Sequence, residues 1–151
     1  MSGSARGAGK HVARKGGRCA LPLLDSVTMS DVRKTQSSFA RKALAVPGHR
    51  FGDLYHLICR DEWLAEALRG VLRNTGSRTP GVDGVSRSDL SDDRVQWAFI
   101  HALGGELKDG VYWPQPVQRL WIPKANGQQR PLGIPTIKDR VVQMALKMLL
   151  E

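Results

Sequence analysis

The dipeptide Asn126-Gly127 constrains the fold of this chain more than any other short feature. It lies between two apolar, extended runs over residues 117–122 and 130–134. An Asn-Gly pair between two such runs is a strong signal for a tight hairpin turn, because both residues tolerate a positive φ angle. The sequence therefore predicts an antiparallel β-hairpin at this point.

The length of the turn decides which side chains share a face of the hairpin, since loop length sets the register between the strands. A two-residue turn would place Lys124 opposite Gln129 and would point Arg130 to the other face. A three-residue loop, with Gly127 in the left-handed position, places Lys124 opposite Gln128 and on the same face as Arg130. We favour the three-residue loop.

A face that carries both Lys124 and Arg130 suits the binding of phosphate. Lysine supplies a mobile point charge, and arginine supplies a planar donor with two prongs. The alternative is a solvated hairpin whose two cations only prevent edge-to-edge pairing with another strand. The hairpin alone does not separate these interpretations.

A helix is predicted directly after the hairpin. Thr136 can cap it, and Asp139 three residues later completes an arrangement similar to a capping box. Apolar residues then recur at helical spacing at Val142, Ala145, Leu146 and Leu149, with Val141, Met144, Met148 and Leu150 widening the stripe. We expect this helix to need more cover than the sequence supplies, so that an apolar patch over residues 141–150 promotes self-association.

These residues resemble a known family. The segment IPKANGQQRPLGIPTIKDRVVQMAL is similar to the first fingers block and the start of the second block of group II intron-encoded reverse transcriptases, the intron maturases. Upstream, residues 51–90 resemble the N-terminal extension of these proteins and the block before the fingers, and residues 112–124 link the two in the family's order. The resemblance covers about residues 30–151, and motifs of this length are far more specific than a single glycine fingerprint.

The upstream residues also carry a pattern of their own. Asp61 is placed to cap a helix whose apolar stripe is Leu64, Ala67, Leu68, Val71 and Leu72, and a shorter amphipathic helix precedes it with Phe51, Leu54, Tyr55 and Ile58. Asn74-Thr75-Gly76 ends the longer helix, and a glycine-containing loop follows over residues 79–84. By itself this loop reads as an ordinary turn. The resemblance instead implies a loop that holds a nucleic-acid template.

The resemblance implies an α+β fold, with a helical N-terminal extension followed by a fingers subdomain, which contains the antiparallel hairpin and a C-terminal helix of an incomplete right-hand polymerase. It implies contacts to the incoming nucleotide triphosphate at Lys124 and Arg130. The template or RNA contacts that it implies are Arg73, Arg78, Thr79, Gly81, Gly84, Arg87, Arg119 and Arg140. Arg140 is also a candidate to join the triphosphate contacts, and on its helix it could equally pair with a carboxylate or with a phosphate of the template.

The metal-binding aspartates of the family are not predicted in this chain. They belong to the palm, on a strand and in a Tyr/Phe-x-Asp-Asp turn, and neither pattern stands in the sequence. Another helix is predicted over residues 90–108, with Phe99, Ile100, Leu103 and Leu107 on one face and Gly104-Gly105 weakening its end. Asp92-Asp93 lies at the start of this helix, where acidic residues complement the helix dipole. We therefore expect no catalytic residue and no metal ligand here, and Mg²⁺ only in the full-length enzyme.

Charge supports a nucleic-acid partner, because the net charge is +9 over 151 residues. The sequence divides into a basic tail predicted to be disordered over residues 1–45, an N-terminal extension with the template-holding loop over 46–90, and fingers over 91–151, truncated before the palm. Met29 offers an alternative start, and N-terminal mass spectrometry tests whether residues 1–28 are translated. Cys19 and Cys59 form no motif, which favours a reducing compartment such as the bacterial cytoplasm.

Two functional hypotheses follow. In the first, the chain is the N-terminal part of an RNA-directed DNA polymerase of a mobile retroelement, which binds intron RNA or template and the incoming nucleotide, and which in full-length form also binds a DNA primer. In the second, it is a non-catalytic basic RNA-binding module or a degenerate remnant of such an element. Neither hypothesis requires a membrane, since no apolar run reaches spanning length. Primer extension separates the two.

Overall fold

The computed structural model describes residues 28–151, with side chains described from residue 31 onward. The regular elements in chain order are α1 (Thr28–Ala45), α2 (Leu54–Ile58), α3 (Asp61–Arg73), α4 (Asp93–Lys108), β1 (Gln118–Pro123), β2 (Gln129–Ile134) and α5 (Ile137–Leu150). Two short 3₁₀ turns lie between α3 and α4, at Thr75–Arg78 and Arg87–Leu90. Helices and an antiparallel hairpin in one chain agree with the predicted α+β class.

Helix α3 forms the centre of the core because apolar side chains cover most of its circumference. The predicted stripe is confirmed at Leu64, Ala67, Leu68 and Val71, which are buried, and Trp63 and Ala65 are buried as well. A helix that is apolar on several sides needs several neighbours. Accordingly, α3 packs against α1, α4 and α5.

Helix α5 lies along α3 and is fixed to it by both packing and a hydrogen bond. The indole N–H of Trp63 donates to the carbonyl oxygen of Ala145 at 3.0 Å. Gly70 of α3 faces the Met144 side chain of α5, and a Cβ atom at this glycine would be in ordinary van der Waals contact with it. The expectation that nothing covers the apolar stripe of α5 was therefore wrong, because α3 covers a large part of it.

The buried face of α5 also differs from the predicted one. Ile137, Val141 and Ala145 are buried, whereas Leu146 is 43% exposed and Leu150 is 81% exposed. Eight of the ten residues from Val141 to Leu150 are apolar, so several stripes fit this part of the sequence equally well. Packing against α3 selects the stripe at i, i+4 and i+8.

The start of α3 corrects one predicted cap. Arg60 occupies the N-cap position, and Asp61 is the first helical residue, with no side-chain cap bond at this end. The Asp61 carboxylate instead lies 3.1 Å from Nδ1 of His101 on α4. A Cβ atom on Gly104 would lie 3.0 Å from Asp61 Oδ1, so Gly104 allows α4 to approach the start of α3.

Helix α1 corrects the predicted boundary of the basic tail. Residues 28–45 form a helix, although their composition had placed them in a disordered segment. Val32 of α1 is buried, and the Gln36 side chain donates to the carbonyl oxygen of Met148 at 2.6 Å. These contacts are made with distant parts of the chain and leave no local sequence signal. The rest of the predicted tail, residues 1–27, lies outside the described residues.

Candidate nucleic-acid interface

The hairpin has the three-residue loop that the sequence predicts. The N–H of Lys124 donates to the carbonyl oxygen of Gln128 at 2.7 Å. The N–H of Gly127 donates to the carbonyl oxygen of Lys124 at 3.0 Å. Gly127 has a φ of +80°. Ile122 pairs with Arg130 in the register. Since side chains alternate along a strand, Lys124 and Arg130 share one face, which confirms the predicted geometry.

The hairpin and its flanking residues carry positive charge only. No Asp or Glu occurs between Val111 and Thr136, and the cations in this stretch are Arg119, Lys124 and Arg130. All three cations are exposed. The absence of acidic residues over this length was a readable sequence signal for a polyanionic partner, and it strengthens the interpretation of the hairpin as a phosphate-binding element.

The segment before the hairpin is tied to α5 by one buried carboxylate. Asp139 accepts hydrogen bonds from the hydroxyl of Tyr112 at 2.5 Å and from the backbone N–H of Gln115 at 3.2 Å. It also accepts one from the hydroxyl of Thr136 at 2.7 Å, and its own N–H donates to that hydroxyl at 3.1 Å. Burial, followed by the hydrogen bond to Asp139, raises the pKa of Tyr112 well above its usual value. The segment before the hairpin is thus fixed to α5, the helix that follows the hairpin.

A second link joins α4 to α5 close to this carboxylate. The ammonium group of Lys138 forms an ion pair with Glu106 at 2.5 Å, and both side chains are about a third exposed. The carbonyl oxygen of Glu106 accepts from the N–H groups of Val111 and Tyr112 at 3.0 and 3.1 Å. The segment before the hairpin is therefore bound to Glu106 as well as to Asp139.

Arg140 binds the backbone of the predicted template-holding region. Its guanidinium donates to the carbonyl oxygens of Gly76 at 2.7 Å and Thr79 at 3.0 Å. Its Nε donates to the carbonyl oxygen of Pro135 at 2.9 Å. The predicted contact of Arg140 with template stays a prediction, while the structure gives this residue the role of fixing the loop to α5.

The loop glycines are explained by protein geometry. A Cβ atom on Gly81 would lie 2.7 Å from Cα of Thr136, so only glycine allows the loop to lie against the start of α5. Gly84 has a φ of +72°, which favours glycine, and its N–H donates to the carbonyl oxygen of Gly81 at 3.2 Å. The sequence interpretation related both glycines to a close approach of ligand. In the structure they shape and seat the loop.

Two of the predicted RNA-binding arginines line one cavity, which we call the arginine–serine pocket. Its volume is about 480 Å³. Its lining residues are Leu72, Arg78, Ser86, Arg87, Ser88, Leu90, Ser91 and Gln96. Guanidinium groups and hydroxyls are the side-chain donors that proteins use for phosphate oxygens. The sequence predicted the two arginines, whereas the serines and Gln96 were not recognised.

The hydrogen bonds around the pocket hold its polar wall in place. Asp89 accepts from the N–H and from the hydroxyl of Ser86, each at 2.8 Å, and Ser88 Oγ lies 2.7 Å from Ser86 Oγ. The backbone and side-chain hydrogen bonds from Ser86 lower the pKa of Asp89, which keeps this carboxylate ionised. Gln96 donates to the carbonyl oxygen of Leu90 at 2.8 Å. The pocket is a formed surface with defined donors.

A second cavity, which we call the apolar cleft, lies between the hairpin base, the end of α3 and α5. Its volume is about 490 Å³. Its apolar lining includes Val71, Leu132, Ile134, Pro135 and Met144, and its polar lining includes Asn74, Thr79, Arg140, Gln143 and Lys147. Among the predicted site residues, Thr79 and Arg140 line this cleft. Arg73 and Arg119 are exposed and line neither cavity.

The adjacent acids at Asp92 and Asp93 have a structural role. Asp92 is the N-cap of α4, and its side chain accepts from the N–H of Arg94 at 2.7 Å. This confirms the interpretation of the pair as part of a helix start. Within residues 28–151, no three His, Cys, Asp or Glu side chains are grouped so that they could hold a metal ion. The expectation of Mg²⁺ in the full-length enzyme stays a prediction.

The length and hydropathy of the described helices decide whether any of them could cross a membrane. Among residues 28–151, none of the helices combines the length and the apolar character that a membrane span requires.

Sequence comparison relates the chain to several curated proteins, some of which are named as intron-encoded or intron proteins. It is 42% identical over 120 residues to protein YkfC of Escherichia coli, covering 80% of this chain and 31% of YkfC. It is 34% identical over 102 residues to the group II intron-encoded protein LtrA of Lactococcus lactis, covering 67% of this chain and 16% of LtrA. A putative COX1/OXI3 intron 1 protein of Saccharomyces cerevisiae is 28% identical over 90 residues. No protein-family model matches. The chain thus spans less than a third of the curated relatives it matches.

Proposed function

Because this chain is a homologue of group II intron-encoded proteins, we propose that it binds structured intron RNA and template as the N-terminal extension and fingers of an RNA-directed DNA polymerase. In this proposal, residues 46–90 hold the template and residues 91–151 form the fingers. Polymerisation itself belongs to the full-length protein, together with the DNA primer and Mg²⁺.

The arginine–serine pocket is the observation that carries the proposal. Arg78 and Arg87 converge on a cavity whose other polar donors are serine hydroxyls, and Gln96 is bound to the pocket wall. A phosphodiester seated there would accept hydrogen bonds from both guanidinium groups, and the hydroxyls would complete its shell. The one carboxylate beside it, that of Asp89, already accepts from Ser86, so two arginines act against one acid.

The turn that carries Arg78, at one edge of this pocket, is fixed by contacts with α5, which favours binding. Arg140 fixes its backbone at Gly76 and Thr79, and Gly81 seats it against Thr136. A preorganised loop loses less conformational entropy when it binds than a mobile one does. Arg140 therefore supports RNA binding through the loop.

The hairpin would serve the incoming nucleotide triphosphate. Lys124 and Arg130 lie on one face and are exposed, and no acid occurs between residues 111 and 136. In the full-length enzyme, two cations in this position would neutralise charge on the triphosphate and on the leaving pyrophosphate. This function requires a palm that brings the nucleotide and its metal ions to the hairpin.

The second candidate function is RNA binding without catalysis, as a module or as a remnant of a retroelement. It is supported by the exposed cations of the hairpin and by a pocket that two arginines line. Primer extension with Mg²⁺ and deoxynucleotides distinguishes the candidates. We expect none from the purified chain, and genuine extension would contradict the assignment of catalysis to other segments.

The pocket is tested by neutralising its two arginines. We expect Arg78→Gln/Arg87→Gln to weaken binding to structured intron RNA and to lower the slope of log affinity against log salt by about 1 to 2. The matched control is Arg33→Gln/Lys42→Gln, which removes the same charge from exposed positions on α1. An equal loss in the control would show that total charge, and not the pocket, determines binding.

A further inference from the structure

Trp121 is a large aromatic side chain that the fold leaves in solvent. It lies in the middle of β1, and 55% of its surface is exposed. Its strand belongs to a two-stranded sheet that has no further strand to cover it. An exposed indole keeps a large, rigid aromatic surface available for contact with a partner.

The register places Arg119 on the same face as Trp121. Both lie opposite the face of Lys124 and Arg130, because side chains alternate along each strand. The hairpin therefore presents a tryptophan and an arginine, two positions apart, on one exposed face. A guanidinium beside an indole is a common arrangement for binding a nucleobase together with its phosphate.

The cross-strand partners keep this face open. Trp121 pairs with Pro131, and Arg119 pairs with Gly133, which has no side chain. A Cβ atom on Gly133 would lie 3.1 Å from Cγ2 of Val117, so glycine leaves room for the Val117 side chain beside Arg119. The residue directly across from Trp121 is a proline, whose compact ring leaves more than half of the indole exposed.

Charge identifies the class of partner. No acid occurs between residues 111 and 136, so a polyanion can approach either face of the hairpin without repulsion from this segment. A protein partner of purely apolar character would leave Arg119 unpaired at the interface. A single-stranded nucleic acid satisfies both side chains, since a base covers the ring and a phosphate pairs with the guanidinium.

We propose that Trp121 stacks on an unpaired nucleobase while Arg119 binds the adjacent phosphate, so that the outer face of the hairpin is a single-strand binding surface. This inference rests on the proposed function, because it assumes that the chain binds nucleic acid. It adds a site to that function, separate from the arginine–serine pocket and from the Lys124 and Arg130 face.

The test compares a short uridine oligonucleotide with an abasic oligomer of the same backbone. Binding of the full chain is measured by fluorescence anisotropy. Removing one stacked base costs about 5-fold to 100-fold in affinity. We expect Trp121→Leu to lose this factor on uridine oligonucleotide only, and Trp121→Phe, which keeps a ring, to retain most of the affinity. Binding of the abasic oligomer should change little in either variant.

Trp113 provides the matched control. It is 82% exposed and lies before the hairpin, outside both strands. We expect Trp113→Leu to bind both oligomers as the unmodified chain does. Equal uridine binding by Trp121→Leu and the unmodified chain, or an equal loss in Trp113→Leu, would overturn the stacking assignment. Binding of neither oligomer nor intron RNA by the unmodified chain would instead refute the proposed function.

Discussion

The carboxylate of Asp139 accepts hydrogen bonds from three groups that are separated along the chain. These are the hydroxyl of Tyr112, the N–H of Gln115 and the hydroxyl of Thr136. Asp139 and Thr136 are both buried. A buried acceptor that serves several donors is costly to remove, because the buried hydroxyl of Thr136 and the partly buried hydroxyl of Tyr112 would lose their partner.

Asp139→Ala should destabilise the fold by about 2–3 kcal/mol, since it leaves three donors without this acceptor. The measurement is the free energy of unfolding from denaturant titration. Asp109→Ala is the matched control, because Asp109 is an exposed acid at the end of α4. A loss below about 0.5 kcal/mol for Asp139→Ala would show that the three hydrogen bonds contribute little.

Because of Tyr112, the free energy of unfolding should depend on pH in the alkaline range. The pKa of Tyr112 is raised in the folded protein above the usual value of 10.0, so its contribution is complete below about pH 10 and is lost as pH rises further. We expect unfolding titrations to show stability falling above pH 10 more steeply in the unmodified chain than in Tyr112→Phe. Parallel pH profiles for the two proteins would contradict this assignment.

Sequence could reveal only part of this arrangement. Thr136 and Asp139 are three residues apart, so a local pattern predicts their mutual hydrogen bonds. Tyr112 lies 27 residues before Asp139, and no spacing rule relates the two. The hydrogen bonds of Arg140 to Gly76 and Thr79 could not be predicted for the same reason, because only tertiary packing brings these residues together.

At the scale of elements, the hairpin was predictable and the face of α5 was not. Asn126-Gly127 requires a particular turn, and that turn determines the register of every pair in the hairpin. Between Val141 and Leu150 of α5, every position except Gln143 and Lys147 is apolar, so the sequence does not select among stripes. Packing against α3 selects Val141 and Ala145 and leaves Leu146 exposed.

Two glycine substitutions distinguish a packed loop from an open helix position. Gly81→Ala should destabilise the protein by at least about 1 kcal/mol, because its Cβ would lie 2.7 Å from Thr136 Cα. Gly105→Ala should stabilise it by roughly 0.5–1 kcal/mol, since a Cβ there meets nothing within 4 Å and alanine favours helix α4. Thermal melts measure both changes, and a neutral Gly81→Ala would contradict the close loop contact.

At the scale of the molecule, large apolar side chains stay exposed at the ends of α1 and α5. Leu150 and Leu44 are more than four-fifths exposed, and a groove of about 330 Å³ beside Leu150 is lined by Phe39 and Phe51. Exposed apolar groups of this size promote association. The self-association predicted from the sequence therefore has a defined surface, although that surface is smaller than an uncovered α5 would give.

Leu150→Lys should lower self-association, because it places a charge beside the groove. Light scattering against protein concentration measures the effect, and Val82→Lys, an exposed position in the loop, is the control. We expect the unmodified chain to form oligomers that Leu150→Lys reduces. A monodisperse unmodified monomer with one cooperative thermal transition would contradict the prediction.

Binding of RNA by the chain as a whole is tested by the salt-dependent affinity of the purified chain for a structured group II intron RNA and for a random RNA of equal length. We expect tighter binding of the intron RNA at every salt concentration, because a formed pocket recognises shape in addition to charge. Weak, equal binding of both RNAs that vanishes as salt rises would contradict it.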